Sequence, residues 1–301
     1  LAHTALGMAL QAQGRPAEAF PAYARARALD PADLRPRLGA GEVLATLGNH
    51  AEAIKAYREV LELRSDLTSA RALLADSLLA GGQTVEAMSE ARSVLAVEPG
   101  HTRAALVMAR AHAARNDFRA AATQLDAYLE RRPEDSQAAY LTGLYLLADG
   151  DDTRALKPFT YALSGRNKAL AAAIGSAVVH QKNDDRVRVR EFLEQAVAAN
   201  DPSIREHAEF HRALLHLAGK EWDAARSTFG RAAGFFPNAR METLDLANFF
   251  SGTPAESLAL TGRGALLLRE GLLEPSVKAL RTAVEKGRSN VIALLLLSNA
   301  L

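Results

Sequence analysis

The chain has 301 residues, 49% of them hydrophobic, so it can bury a large core. Thirty-six Lys and Arg against 35 Asp and Glu leave a net charge of +1, which excludes a global field steering it to nucleic acid or to an anionic membrane. The lack of cysteine excludes disulfides, a thiolate nucleophile and a Cys-based zinc site, and leaves the compartment open.

Ala and Leu richness suits helices, and strand signals are nearly absent. The chain opens at Leu1, already inside a first helix and without an initiator Met or signal peptide, and reads as an excised piece. In "GRPAEAFPAYARARALDP" the places of note are Gly14, Ala19, Tyr23, Ala26 and Pro31. "LGNHAEAIKAYREVLEL" repeats the arrangement 34 residues on with Gly48, Ala53, Tyr57 and Val60. A third copy answers with Gly82, Ala87, Val94 and Pro99, and a fourth with Ala121, Leu125, Tyr128 and Pro133. The fifth has Gly143, Gly150, Ala155, Phe159 and Ala162, reached without an inserted or deleted residue.

Each place has a physical role. Ala lets the two helices of a hairpin approach closely, and the bulky residue four positions later fills the space toward the next hairpin. Gly ends the first helix, and Pro, which cannot continue a helix, ends the second. These residues resemble the tetratricopeptide repeat family over most of the chain. The resemblance implies an all-α fold, a right-handed α-solenoid of helix-turn-helix repeats whose first helices line a concave binding surface.

Further along, the sixth copy keeps Ala177 and Ala196 in register, while Asp184 replaces the turn Gly and Val189 the close-contact Ala. Its "KNDDRVRVREF" reads as a weakened turn with a strongly charged helix entry, a soft point in the array. The seventh copy, with Ala225, Phe229, Ala232 and Pro237, sits about two residues out of phase, and Trp222 packs near its turn. Residues 238–253 break the pattern with one extra helix in which Met241, Leu244, Phe249 and Phe250 are apolar. Thr253-Pro254-Ala255-Glu256 reads as a capping box that restarts the array, and the eighth copy follows with Gly264, Gly271, Leu280 and Ala283. The end, "VIALLLLSNAL", reads as the first helix of a truncated ninth repeat, too short to span a membrane, with an exposed face suited to self-association. The expected organisation is a regular array over 1–167, two divergent repeats over 168–237, the break over 238–253 and a last array over 254–301. Pro158 and Pro21 lie inside second helices, where Pro158 should remove a backbone bond and kink the helix.

Chemistry-bearing patterns are sparse. His207 and His211 stand at i and i+4 on one helix face, where two imidazoles could share a metal, yet no third ligand is evident and ordinary helix histidines are the expectation. Gly39-Ala40-Gly41 and Gly262-Arg263-Gly264 lie inside helices and follow no strand, so they read as close-packing glycines and not as a nucleotide fingerprint. Asp151-Asp152 and Asp184-Asp185 read as solvated acids that start helices. No enzyme activity, cofactor or metal is expected.

Carried onto this chain, the family's inward positions are Arg35, Glu42, Asp76, Arg103, Leu106 and Arg110, then Tyr140, Leu144, Leu147, Ile174 and Val178. A charged half thus gives way to an apolar half. The resemblance implies a groove in which Tyr140, Leu144, Leu147, Ile174 and Val178 hold an apolar segment of a protein partner while Arg103 and Arg110, with Leu106 between them, read nearby acidic groups. A competing expectation has the chain's own helix around 240–250 covering that patch. Chaperone-type members clamp a carboxylate with Lys and Asn, where this chain has Thr4, Met8, Leu38, Glu42, Ala72 and Asp76. Loosely matched arrays of this kind resemble bacterial cell-envelope scaffolds, including the periplasmic parts of exopolysaccharide and cellulose export systems. The expectation is a protein-binding scaffold, without nucleic-acid binding or direct membrane insertion. The alternatives are a regulatory module of a larger enzyme and, given only 6% aromatic residues, less readily a polysaccharide-binding surface.

Overall fold

Positive backbone angles punctuate the chain at the spacing its sequence repeats. Gly14, Gly48, Gly82, Asn116, Gly150 and Asp184 follow one another at 34-residue steps, and Lys220 and Gly271 continue the series with slipped phase, all with φ between 54° and 94°. Each turns the chain from one helix into its partner. The left-handed region suits glycine and tolerates Asn and Asp, so Asp184 substitutes for the turn glycine without loss of the turn. Lys220 does the same at a cost in backbone strain.

In this computed structural model the structure describes residues 1–164, 169–232 and 245–301, and all regular elements among them are helices. Four hairpins come first: α1 (Ala2–Ala12) with α2 (Pro16–Leu29), α3 (Leu34–Thr46) with α4 (His50–Leu63), α5 (Thr68–Ala80) with α6 (Thr84–Val97), and α7 (Thr102–Ala114) with α8 (Phe118–Leu129). Next are α9 (Ser136–Asp149) with α10 (Asp152–Ser164), α11 (Ala171–Lys182) with α12 (Arg186–Val197), and α13 (Pro202–Ala218) with α14 (Trp222–Arg231). A short α15 (Leu246–Phe250) precedes the hairpin of α16 (Ala255–Arg269) and α17 (Leu273–Lys286), and α18 (Val291–Ala300) ends the chain. The eight expected hairpins, the extra helix and the start of a ninth repeat are thus present. Pro237, Met241 and Leu244 lie outside the described residues, as does the side chain of Phe249.

The molecule divides into two compact units, Leu1–Arg132 and Pro133–Leu301. The division falls between 132 and 133 and not near 167, so the fifth repeat, regular in sequence, packs with the second unit. Regular spacing records how each hairpin is built, whereas the division records what it touches.

In the first unit Ala19, Ala53, Ala87 and Ala121 are fully buried at the close approach of paired helices. Tyr23 shows what the large residue does. A Cβ on Gly7 of its own hairpin would lie 2.7 Å from its ring, and one on Gly39 of the next hairpin 2.4 Å. The ring is therefore slotted between α1 and α3, and two glycines make the slot. In the second unit Phe159 repeats the device between Gly143 and Gly175, at 2.6 and 2.5 Å. Val189 takes the Ala place in the sixth hairpin and is buried as well. Helix α10 continues as one element through Pro158, as α2 does through Pro21.

The expected capping box does not form. Pro254 occupies the cap position without a side-chain cap bond, Thr253 pairs its hydroxyl with that of Ser289 at 3.3 Å, and Glu256 pairs with Lys286 at 2.9 Å. The restart is held by contacts to the end of α17 and the loop after it, which local spacing does not reveal. Trp222 opens α14 and packs against the core of the second unit, around Phe210, Phe229 and Leu280.

Candidate functional site

Within the first unit the first helices of successive hairpins lie side by side, α1 against α3 and α5 against α7. Their shared face carries Arg103, Leu106 and Arg110 at one-turn intervals along α7, as the helical period dictates. These three line a cavity of about 810 Å³ together with Asp76 of α5, the loop of Glu98 to His101, and Arg132. The loop is stiffened where the His101 ring nitrogen accepts the amide of Ala104 at 3.3 Å, capping α7.

The cavity's charges are unevenly matched. Arg103 meets Asp76 at 3.5 Å, a long contact between two solvent-facing groups that contributes little. Arg110 is exposed and makes no hydrogen bond or ion pair among the described residues. Leu106 between them is half-buried. A free guanidinium beside a partly exposed leucine, in a cavity of this size, suits a carboxylate next to an apolar group. Of the remaining charged inward positions, Arg35 folds back on Asp33 at 2.8 Å and is spent on its own helix start. Glu42 lines a second, adjoining cavity.

The apolar half of the expected groove behaves differently. Tyr140, Leu144, Leu147, Ile174 and Val178 are 0–3% exposed, so they form no open surface. The chain's own α16 lies against α11 and α13 within the second unit. Its Arg263 donates to the Leu147 carbonyl oxygen and, at 2.7 Å, to Asp152, while Leu147 and Val178 line a 100 Å³ gap shared with Ala259 and Leu260. Tyr140 lies within electrostatic reach of Glu270 and Arg269, and its phenol is pushed up by burial first and by Glu270 next. The helix expected around 240–250 as a cover lies partly outside the described residues; among the described ones, residues 255–269 lie here.

Asp152 corrects a second expectation. It is no solvated helix-starter, for its side chain is nearly buried between Arg263 and Lys182, the latter at 2.6 Å. Asp151 and Asp185 do cap their helices, accepting the amides of Arg154 at 3.1 Å and Arg188 at 3.2 Å.

His207 and His211 are buried on α13, ring centroids 4.9 Å apart, and Arg269 reaches His207 Nδ1 at 3.4 Å. Glu209 between them in sequence turns away to Arg231 at 3.0 Å. Among the described residues no group of three or more His, Asp or Glu is placed to hold a metal. Both ring nitrogens of His211, and the amide nitrogen of Gln181, are buried without a partner among the described residues. Gly262 completes this closeness, since a Cβ there would sit 3.1 Å from His211. Burial, then the neighbouring charge of Arg269, holds His211 down to about 3, and burial, then His211 and Arg269, pushes His207 well below the usual imidazole range.

These histidines set a pH dependence with a definite sign. In the unfolded chain they take protons near pH 6.5, whereas in the fold they stay neutral, so the unfolded state binds more protons below that pH. Stability of the second unit is full above about pH 6.5 and falls as pH drops toward about 3. His211→Leu is expected to flatten that fall by up to about 1.4 kcal/mol per pH unit, the value of one proton. Urea unfolding of both proteins between pH 7 and 5 measures it, and parallel slopes would refute the assignment.

Comparison with known proteins bears on the fold. Tetratricopeptide repeat models match residues 4–68 and 78–144. A tetratricopeptide repeat protein from Parabacteroides merdae is 14% identical, the match covering 99% of this chain and 97% of that one with a TM-score of 0.55. The C-terminal part of a repeat-containing protein from Cytophaga hutchinsonii is 11% identical over 79% of this chain and 97% of its own, with a TM-score of 0.60. A chain of the APC/C hetero-tetramer Cut9-Hcn1 is 12% identical over 95% of this chain and 52% of its own, at 0.51. No curated protein sequence matches. The likeness is of fold: an all-α array of tetratricopeptide-type hairpins.

Proposed function

We propose that the chain is a non-catalytic binding scaffold that holds an extended segment of a partner protein along the first-helix face of residues 1–132. The cavity at α5 and α7 is the anchor. Arg110, assisted by Arg103, takes a carboxylate of the partner, and Leu106 takes an adjacent apolar group. The observation that carries this reading is Arg110 itself, an exposed guanidinium, unpaired among the described residues, beside a half-buried leucine in a cavity of about 810 Å³. No described helix is long and apolar enough to cross a membrane.

The reading is tested with an array of nine-residue peptides in which Asp, Glu and Leu are moved through every position. The intact chain is expected to prefer peptides carrying an acidic residue next to an apolar one. Arg110→Glu is expected to lower their capture at least about tenfold, roughly 1.4 kcal/mol, because attraction becomes repulsion. Unchanged capture would contradict the reading.

A second reading concerns Tyr140, Leu144, Leu147, Ile174 and Val178. The packing of α16 on its neighbours leaves buried polar atoms of His211 and Gln181 without partners, a costly feature that makes this contact easier to exchange. A partner helix that satisfied those atoms would displace α16 and take up the apolar face. The polysaccharide-export role implied by the sequence resemblance gains no support from the matched proteins and forms no part of either reading.

A further inference from the structure

A second cavity adjoins the first on the same face, with a volume of about 330 Å³. The two share Asp76 and Arg103 in their walls, but their chemistry differs. Here the further polar lining is Gln11, Glu42, Thr46, His50, Tyr57 and Ser77.

Glu42 accepts a hydrogen bond from the neutral Gln11 amide at 3.2 Å, and no cation pairs with it among the described residues. Asp76 has only the long contact to Arg103. Two carboxylates against one guanidinium leave a net negative charge. Tyr57 is fully buried, yet among the described residues its hydroxyl has no partner, and His50 Nδ1 is buried and likewise unpartnered there. Burial, then Glu42, raises the Tyr57 phenol well above its ordinary range, so it stays neutral and free to accept or donate. A buried hydroxyl without a partner is destabilising, and a ligand that bonds to it removes that penalty.

We infer that this cavity is a subsite for a cationic side chain, a guanidinium or ammonium carried by the bound partner. Such a group offers several N–H donors at once. Glu42 and Asp76 supply the counter-charge, and the Tyr57 hydroxyl and His50 Nδ1 accept the remaining N–H groups. The volume admits one long side chain. With Arg110 reading a carboxylate next door, the face selects a segment in which a basic and an acidic residue stand near each other. The source of the cation rests on the partner-segment reading above, whereas the cation site itself does not.

Two probes separate these claims. In the first, saturation-transfer NMR follows arginine amide binding to the whole chain and to its Glu42→Gln and Tyr57→Phe variants, with far-ultraviolet circular dichroism confirming that each is folded. Binding is expected to weaken at least tenfold in Glu42→Gln and severalfold in Tyr57→Phe, and equal binding in wild type and Glu42→Gln would overturn the inference. In the second, the peptide array is rescanned with Arg and Lys at every position. A Glu42-dependent preference for a basic residue near the acidic one supports the inference in full. If arginine amide binds through Glu42 but no peptide is captured, the cation site stands for a free guanidinium compound and the partner-segment reading falls. If acidic peptides are captured through Arg110 with no basic preference and arginine amide does not bind, the reading stands and the cation site is refuted.

Discussion

Phe159→Ala is expected to destabilise the C-terminal unit by about 3–5 kcal/mol, the range for removing a fully buried aromatic ring. Phe159 has no exposed surface. It fills a slot whose walls are Gly143 and Gly175, with Tyr140 at a ring distance of 6.1 Å, so no neighbouring side chain from those two places can swing in to fill the void. A site that cannot collapse pays both the lost transfer energy and the cavity. Denaturant unfolding followed through Trp222, the chain's one tryptophan and a residue of the same unit, measures the loss. A change below about 1 kcal/mol would mean that the slot closes up and that the large and small places are not matched as described.

Asp152→Ala should be as damaging for a different reason. The substitution strips a nearly buried arginine of its carboxylate, and breaking a buried pair from one side costs about 3–5 kcal/mol because the remaining charge stays desolvated. Arg263 would keep the Leu147 carbonyl oxygen alone, and Lys182 would be released to solvent. The expected result is faster amide exchange over residues 255–269 and over α9 and α11, the surfaces that α16 joins. Asp152→Asn, which keeps acceptors but loses the charge, should fall between. Unchanged protection of 255–269 would show that Arg263 and Asp152 do not hold α16 in place.

How far the sequence foretells this molecule depends on the range of the interaction. The hairpins are written locally: Ala, a bulky residue and a turn residue recur at fixed spacing because each repeat meets its neighbours in the same way. Asn116 and Asp184 extend that series, and the signal that finds them is the 34-residue step itself and not the presence of glycine, whereas Lys220 lies off that step. The return of α16 is not local. Arg263 and Asp152 are 111 residues apart, and the repeat pattern of the eighth hairpin specifies how α16 meets α17 but not what its other side meets. Asp152 therefore reads as a helix-starting acid, and Leu144 as an exposed contact, when both are interior. Leu144→Glu, which would suit a test of an open groove, instead buries a carboxylate. Within the candidate site, Arg103, Leu106 and Arg110 come from the inward positions that the family resemblance implies, while the Tyr57 hydroxyl, unpartnered among the described residues, is hidden behind its role as a packing residue.

The central claim is that the first-helix face of residues 1–132 is where a partner segment lies. It is tested most directly by placing a photo-crosslinking amino acid at Leu106, and in a second protein at Val85, an exposed apolar position on α6 outside both cavities. Each protein is irradiated with the best peptide from the array. Crosslinking from Leu106, abolished by Arg110→Glu and absent from Val85, is the predicted result; crosslinking from Val85 with none from Leu106 would contradict it.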